Sequence, residues 1–442
     1  MYLFLLILLA IIYIVLATVR FKLHPLLSLF TAALGVGLIA GIGTNETLEI
    51  IMRGFGETLS SIGFVIVFGA IIGLLLEKTN GTKTIVNYML KWFGIKRSAF
   101  AMNLTGFIVS IPVFCDSAFV ILSSLNKTLS KRTGIPLTVF AVSLATGLYA
   151  AHVFIPPTPG PLAAAALLDA DLGSVLLYGL MVAIPVSLIG YLWAKGVGSK
   201  SKMIKETNSS QESESFGQLS MRSLLVFLPI LTPIILIALK SIAKYPTNPF
   251  GQGQFYRILD FLGHPIIALL LGVVIAFIYG LSHRERQFFN WTAEALKEAG
   301  VIILITGAGG AFGAVLKALD LAEVLNFETS NSSVGLLIAF GFAAILKTAQ
   351  GSSTVAIVTA SAFMAPLLSS IGLDSEMGKT FTVLAIGAGA MTVSHLNDSY
   401  FWVVSQFSHM DVKTALKHYT TGTFIQGIFA ILLVLLLFTF LN

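Results

Sequence analysis

The chain has 442 residues, 56% hydrophobic and only 11% charged, with a formal charge of +6. Soluble domains carry about 25% charged residues, so this composition, with a mean hydropathy of +0.90, excludes an ordinary soluble protein and indicates an all-α polytopic membrane protein. A single cysteine, Cys115, excludes an intrachain disulfide and a cysteine-rich metal site, and the lack of a P-loop, HExxH or GxSxG motif leaves no sign of ATP hydrolysis or a common hydrolase.

The first apolar run, Tyr2 to Val19, is near the ~20 residues that cross a bilayer. It lacks a basic n-region, and charge rather than a small-residue cleavage site follows at Arg20 and Lys22, so it reads as a span and not as a signal peptide. A second run, Leu23 to Gly41, leads to a stretch with Glu46, Glu49, Arg53 and Glu57 that reads as an outer loop. A third span, about Ile62 to Leu76, returns to Lys78, Lys83, Lys91, Lys96 and Arg97 on the cytoplasmic side. The next apolar segment, Ser98 to Leu125, is followed by Lys127, Lys131 and Arg132. Basic flanks on both ends predict a re-entrant hairpin with Ile111 to Ser117 at its tip.

The segment from about Ile135 to Asp169 and Asp171 is too long for one straight span. Pro156, Pro157, Pro159 and Pro161 break it in the middle, because proline removes a backbone donor and disrupts the helix. Freed backbone groups at membrane depth are tolerated only where protein or a watery cavity satisfies them. A last span, Val175 to Ala194, ends at Lys195, Lys200 and Lys202.

The second half repeats this plan. His24-Pro25 matches His264-Pro265, and the same offset pairs Gly69 with Gly309, Gly73 with Gly313 and Asp171 with Asp411. With small gaps, Asp116-Ser117 falls on Ser352-Ser353 and His152 on His395. Residues 1–198 and 223–442 are therefore expected to be two repeats joined by a cytoplasmic linker, residues 199–222, whose polar composition reads as flexible. Each repeat holds about five spans plus a re-entrant hairpin and a broken helix. An odd number of spans inverts the second copy. His283, Arg284 and Arg286 inside, Asp320, Glu323 and Glu328 outside, Asp374 and Glu376 outside, and Lys413 and Lys417 inside agree with that; Lys240, Lys244 and Arg257 do not.

Inverted repeats with broken helices are a transporter signature, with substrate and coupling ions near the midplane where the breaks meet. The polar residues at those breaks are the candidate site. Asp116 either hydrogen-bonds a hairpin turn or works in transport; ionisable groups in membrane segments are costly and usually functional, which favours the second. Ser117, Ser352, Ser353 and Thr354 either satisfy hairpin backbone or meet a substrate, and Gln350 supplies both a donor and an acceptor at the second tip. Half-helix N-termini add positive partial charge for an anion. Asn397, Asp398 and Ser399 lie at the second helix break and Thr158 at the first.

His152 and His395 occupy matching positions and either donate to backbone carbonyls or handle protons. Lys347 either steers anions or marks the outer entrance of the second hairpin. Cys115 reads as a small packing residue. Ion coupling falls on Asp116 first, because its repeat partner Ser352 is neutral, with Asp398, His152 and His395 behind it. No metal, cofactor or nucleic-acid site is expected. A channel would need rings of carbonyls or charges, which do not recur here; a membrane enzyme would place carboxylates or histidines near a membrane surface.

The segments "FCDSAFVIL", "HVFIPPTPGP", "KTAQGSSTVA" and "SHLNDSYFWVVSQF" resemble the gluconate permease family of bacterial inner-membrane symporters, and the resemblance spans essentially the whole chain. It implies proton-coupled uptake of gluconate or a related small hydroxy acid, with sodium coupling or a D-serine-type substrate as the alternative. The wider ion transporter superfamily implies a homodimer in which a transport domain moves against a fixed scaffold in elevator fashion. No residue singled out here chooses among aldonates, keto-sugar acids, glycerate and D-serine.

Overall fold

The computed structural model describes residues 2–198, 221–243, 250–251, 253–280, 287–319, 332–396 and 398–441. Most of the expected linker, the second-half loop charges from His283 to Arg286 and from Asp320 to Glu328, and the site candidate Asn397 lie outside the described residues. Within them, seven helices are long and apolar enough to cross a membrane, or eight if one bent pair counts as a single span.

The first half runs α1 (Tyr2–Val19), α2 (Pro25–Ile39), α3 (Thr44–Lys78), α4 (Gly81–Phe93), α5 (Ser98–Val109), α6 (Cys115–Thr133), α7 (Leu137–Phe154), α8 (Pro159–Leu167) and α9 (Leu172–Gly198). The second runs α10 (Leu228–Ala243), α11 (Gln254–Leu262), α12 (Pro265–Gly280), α13 (Phe288–Ala318), α14 (Ser332–Gln350), α15 (Ser353–Met364), α16 (Glu376–Met391) and α17 (Ser399–Phe407). A short helix, Val412–Ala415, and a π-helical stretch, Leu416–Thr420, lead into α18 (Thr421–Leu441).

Two sequence expectations are corrected. Glu46, Glu49, Arg53 and Glu57 do not form an outer loop: they lie on α3, a helix of 35 residues. Their spacing of three or four residues lines one exposed helix face, while Thr47, Ile50, Ile51, Gly54 and Thr58 bury the other. Lys127, Lys131 and Arg132 likewise belong to α6, which ends only at Gly134 in the left-handed conformation (φ 71°).

The helix starts follow from local chemistry. His24 caps α2 ahead of Pro25, Thr158 precedes Pro159 at the start of α8, and Ser352, Ser375 and Asp398 each accept a backbone N–H in the first turn of α15, α16 and α17.

The helices pack as two groups. In one, α3 and α13 run against each other, flanked by α2 and α12. Gly54 permits this closeness: a Cβ there would sit 2.8 Å from the Gly310 carbonyl. In the other, α7 and α16 lie amid α5, α9, α14 and α18. The groups touch mainly through α8 on α3, α15 on α13 and α9 on α10. α7 is buried on all sides from Thr138 to Phe154, whereas Leu9, Phe64, Ile278, Ile345 and Leu432 project outward. This outward apolar belt around satisfied helices suits a lipid solvent.

Candidate functional site

Four chain interruptions position the candidate residues. The first is the turn of residues 110–114 between α5 and α6. Its Pro112 carbonyl seats against Gly73 of α3 so closely that any Cβ there would collide. Asp116 and Ser117 lie just past the turn, in the first turn of α6, where helix N-terminal amides favour a carboxylate.

The second is the break between α7 and α8, residues 155–158. Proline supplies it, as the sequence predicts, and the Thr158 hydroxyl donates to the Ile155 carbonyl. A void of about 10 Å³ separates this break from the 110–114 turn.

The third interruption, between α14 and α15, is only two residues long. Gly351 adopts φ 79°, and its carbonyl accepts a 2.9 Å hydrogen bond from Lys347 Nζ. The fourth separates α16 from α17 without any proline. Val393 takes a positive φ of 57°, and the π-helical stretch and the start of α18 satisfy the freed backbone: Ser394 N–H donates to Thr423 Oγ1 (3.0 Å) and Thr420 Oγ1 donates to the Ser394 carbonyl (2.6 Å).

The third and fourth interruptions meet at one buried ion pair. Lys347 Nζ lies 2.6 Å from Asp398 Oδ2, with both side chains almost wholly buried. Ser394 Oγ donates to the same carboxylate oxygen, and Tyr400 N–H donates to Oδ1 at 3.1 Å. The ammonium sits 5.9 Å from the centre of the Tyr149 ring. Tyr149 stacks against His152 and lies 5.5 Å from Tyr400, ring centre to ring centre. The two phenols donate to the Ala390 and Ala145 carbonyls, tying α7 to the second helix break.

Asp116 approaches this pair from α6, which packs on α17, and interacts electrostatically with both Asp398 and Lys347. One of its oxygens lies 3.9 Å from Cys115 Sγ. The other is buried with no hydrogen-bond partner among the described residues. The same holds for His152 Nδ1 and for both side-chain polar atoms of Gln350.

The structure thus brings Asp116, His152, Gln350, Ser353 and Asp398 to one region, with Ser353 interacting with the Tyr149 hydroxyl. Ser352 caps α15, accepting from Val355 N–H at 3.3 Å. Thr354 and Ser117 are half-buried in the first turns of α15 and α6. Thr158 belongs to the neighbouring break, Ser399 opens α17 with an exposed side chain, and His395 accepts the Asp398 N–H at its carbonyl.

Lys347 does not stand at an entrance: its side chain is almost wholly buried against Asp398. Tyr149, Ser394 and Tyr400 were missed. A usable signal existed for Lys347: it is a lone charge in the apolar run of α14. The hydroxyls of tyrosine and serine carry no such signal.

A cavity of about 500 Å³ lies elsewhere, between the α3–α13 pair and the far ends of α8 and α15. Glu57, Asp169, Lys317 and Asp374 line it. Lys379, also on its wall, is 3.1 Å from Asp169. From Ser353 to Ala362, which faces the cavity, α15 rises roughly 14 Å, so this cavity is separate from the ion-pair site.

The chain matches a family described as "GntP family permease" over residues 2–441. It is 32% identical to a gluconate permease of Pseudomonas aeruginosa, with 95% of this chain and 93% of the relative aligned. It is 34% identical to the high-affinity gluconate transporter of Escherichia coli, with 93% of each covered. It is also 34% identical to the D-serine transporter DsdX of Escherichia coli, covering 96% of this chain and 95% of the relative. Among solved structures, the YdaH transporter of Alcanivorax borkumensis shares the fold, with a TM-score of 0.70 at 15% identity, covering 94% of this chain and 98% of that one.

Proposed function

This chain belongs to the GntP family of permeases and is a multi-pass transporter of the bacterial inner membrane, not an enzyme; from that premise we propose that it imports a small hydroxylated monocarboxylate, gluconate or a close relative, together with a proton. The observation that carries this reading is the position of Asp116. Lys347 and Asp398 already neutralise each other. Asp116 stands beside them with a buried, unpartnered oxygen. Ionised, it repels an incoming carboxylate; protonated, it becomes a hydrogen-bond donor. Substrate and proton therefore favour each other's binding.

Ser117, Ser352, Ser353, Thr354, Gln350 and Thr158 supply hydroxyl and amide groups suited to a polyol chain, with Asn397 and Ser399 flanking Asp398. His152, with His395 in the other break, is the reserve proton site. Gluconate and D-serine, named for relatives, share a carboxylate and a nearby hydroxyl, the chemistry these residues match.

The order of elements supports two inverted repeats, residues 1–198 and 223–442, joined by residues 199–222. α5–α6 and α7–α8 recur as α14–α15 and α16–α17 in the same order after a long helix, α3 or α13. The helix pairs α5–α6 and α14–α15 are then re-entrant hairpins. The α3–α13 group is the scaffold of an elevator-type homodimer, and the α7–α16 group moves against it.

The test is uptake into proteoliposomes. Gluconate accumulation driven by a proton gradient alone supports the reading. Accumulation that requires a sodium gradient replaces the proton with sodium, and gluconate flux that never exceeds equilibration makes the protein a passive pore.

A further inference from the structure

Lys347 is the only lysine or arginine buried among the described residues. A buried ammonium needs its donors satisfied, yet only two of its three have partners there, Asp398 Oδ2 and the Gly351 carbonyl. Around it lie buried polar atoms with no partner: Asp116 Oδ1, His152 Nδ1, and the amide oxygen and nitrogen of Gln350, one helical turn further along α14. Asp116 and His152 both interact electrostatically with the ammonium. Native interiors rarely leave such groups unmatched, and a concentration of them marks a place where a ligand completes the set. A cation with a spare donor, ringed by an unmatched amide, imidazole and carboxyl, fits an anionic ligand bearing hydroxyls.

We propose that Lys347 is the residue that holds the substrate carboxylate, and that Asp398 is its positioning partner and not a substrate ligand. This rests on the monocarboxylate reading above. Asp398 is fully engaged by Lys347, Ser394 and the Tyr400 amide, so it fixes the ammonium at the tip of α14. The substrate carboxylate takes the third N–H of Lys347 on the side of Asp116, and Gln350 meets an adjacent hydroxyl with its amide. Lys347 and Asp398 keep their charges throughout, and no covalent step occurs.

The competing account is that Lys347 exists only to neutralise Asp398. A paired substitution separates the two. The probes are gluconate, glycerate, D-serine, propionate and uncharged sorbitol, with binding measured by calorimetry on detergent-purified full-length protein. The neutral double variant Lys347→Gln/Asp398→Asn leaves no lone buried charge. On the proposal it folds, but its affinity for every carboxylate drops on the order of 100-fold, to that of sorbitol. Wild-type affinity for carboxylates in the double variant overturns the proposal.

Should the double variant not fold, Asp398→Asn alone decides. Lys347 remains charged there, so the preference for gluconate over sorbitol persists, and its loss overturns the proposal. Equal wild-type binding of propionate and gluconate ends the hydroxy-acid reading while leaving Lys347 in place. Absence of wild-type binding to all four carboxylates ends both.

Discussion

Lys347 on α14 and Asp398 at the start of α17 are 51 residues apart in sequence and 2.6 Å apart in space. The contact joins the two of the four interruptions that contain no proline. It also fixes the charge state of the region: one cation and one carboxylate cancel, and Asp116 remains.

Removing one partner of that pair strands a buried charge, at a cost of about 3–5 kcal/mol. Asp398→Ala also deletes the acceptor that caps α17. It is expected to lower the apparent unfolding temperature of the detergent-purified protein by several degrees or more, and Lys347→Met to do the same. The double variant should be less destabilised than the two single losses summed, because each then lacks a stranded partner. Strictly additive losses in a double-mutant cycle would show that the pair contributes nothing as a pair.

Asp116→Asn removes the chargeable group while keeping its size. Proton-driven accumulation of gluconate in proteoliposomes is expected to vanish, while exchange between equal internal and external gluconate continues. A variant that still concentrates gluconate under a proton gradient alone transfers the coupling role to Asp398 or His152.

Gly69 and Gly73 lie one turn apart on α3 but meet different neighbours. A Cβ at Gly69 has room, its nearest atoms being Pro157 at 3.6 Å, whereas at Gly73 it collides with the Pro112 carbonyl, which cannot move without shifting the 110–114 turn. Gly73→Ala should therefore destabilise the protein by about 1–3 kcal/mol and impair transport through the displaced Asp116. Gly69→Ala should leave unfolding temperature and transport near wild type. Equal behaviour of the two variants would mean that the turn does not seat on α3 as described.

Topology has its own test. If α5 and α6 form a re-entrant hairpin, single cysteines at Lys96 and Lys131 on a Cys115→Ser background should react with membrane-impermeant reagent from the same, cytoplasmic side. Labelling of the two from opposite sides would make Ser98–Thr133 an ordinary crossing and remove the basis for inverted repeats.

Much of this architecture was legible in the chain. The polar breaks stood out because lipid punishes charge and free backbone, and the four prolines from Pro156 to Pro161 marked the first break directly. The second break carried no such mark. It depends on Thr420, at the end of the π-helical stretch, and Thr423 of α18 capturing the backbone of Ser394, a contact across more than twenty residues. The charged stretch at Glu46 to Glu57 misled because charge suggests a loop; helical spacing lets the same residues line one face of a long helix.

The sequence by itself determined the membrane class, the family resemblance, and the identity of Asp116 and Asp398 as carboxylates placed where carboxylates are expensive. Those are properties of composition and local order. Only the tertiary structure decided that Asp398 is already spoken for by Lys347, that Tyr149 and Tyr400 close around them, and that Asp116 is the carboxylate left without a full set of partners. Pairing of a buried charge is set by which helices meet, and a one-dimensional pattern cannot say which of several lone charges will meet in a low-dielectric interior.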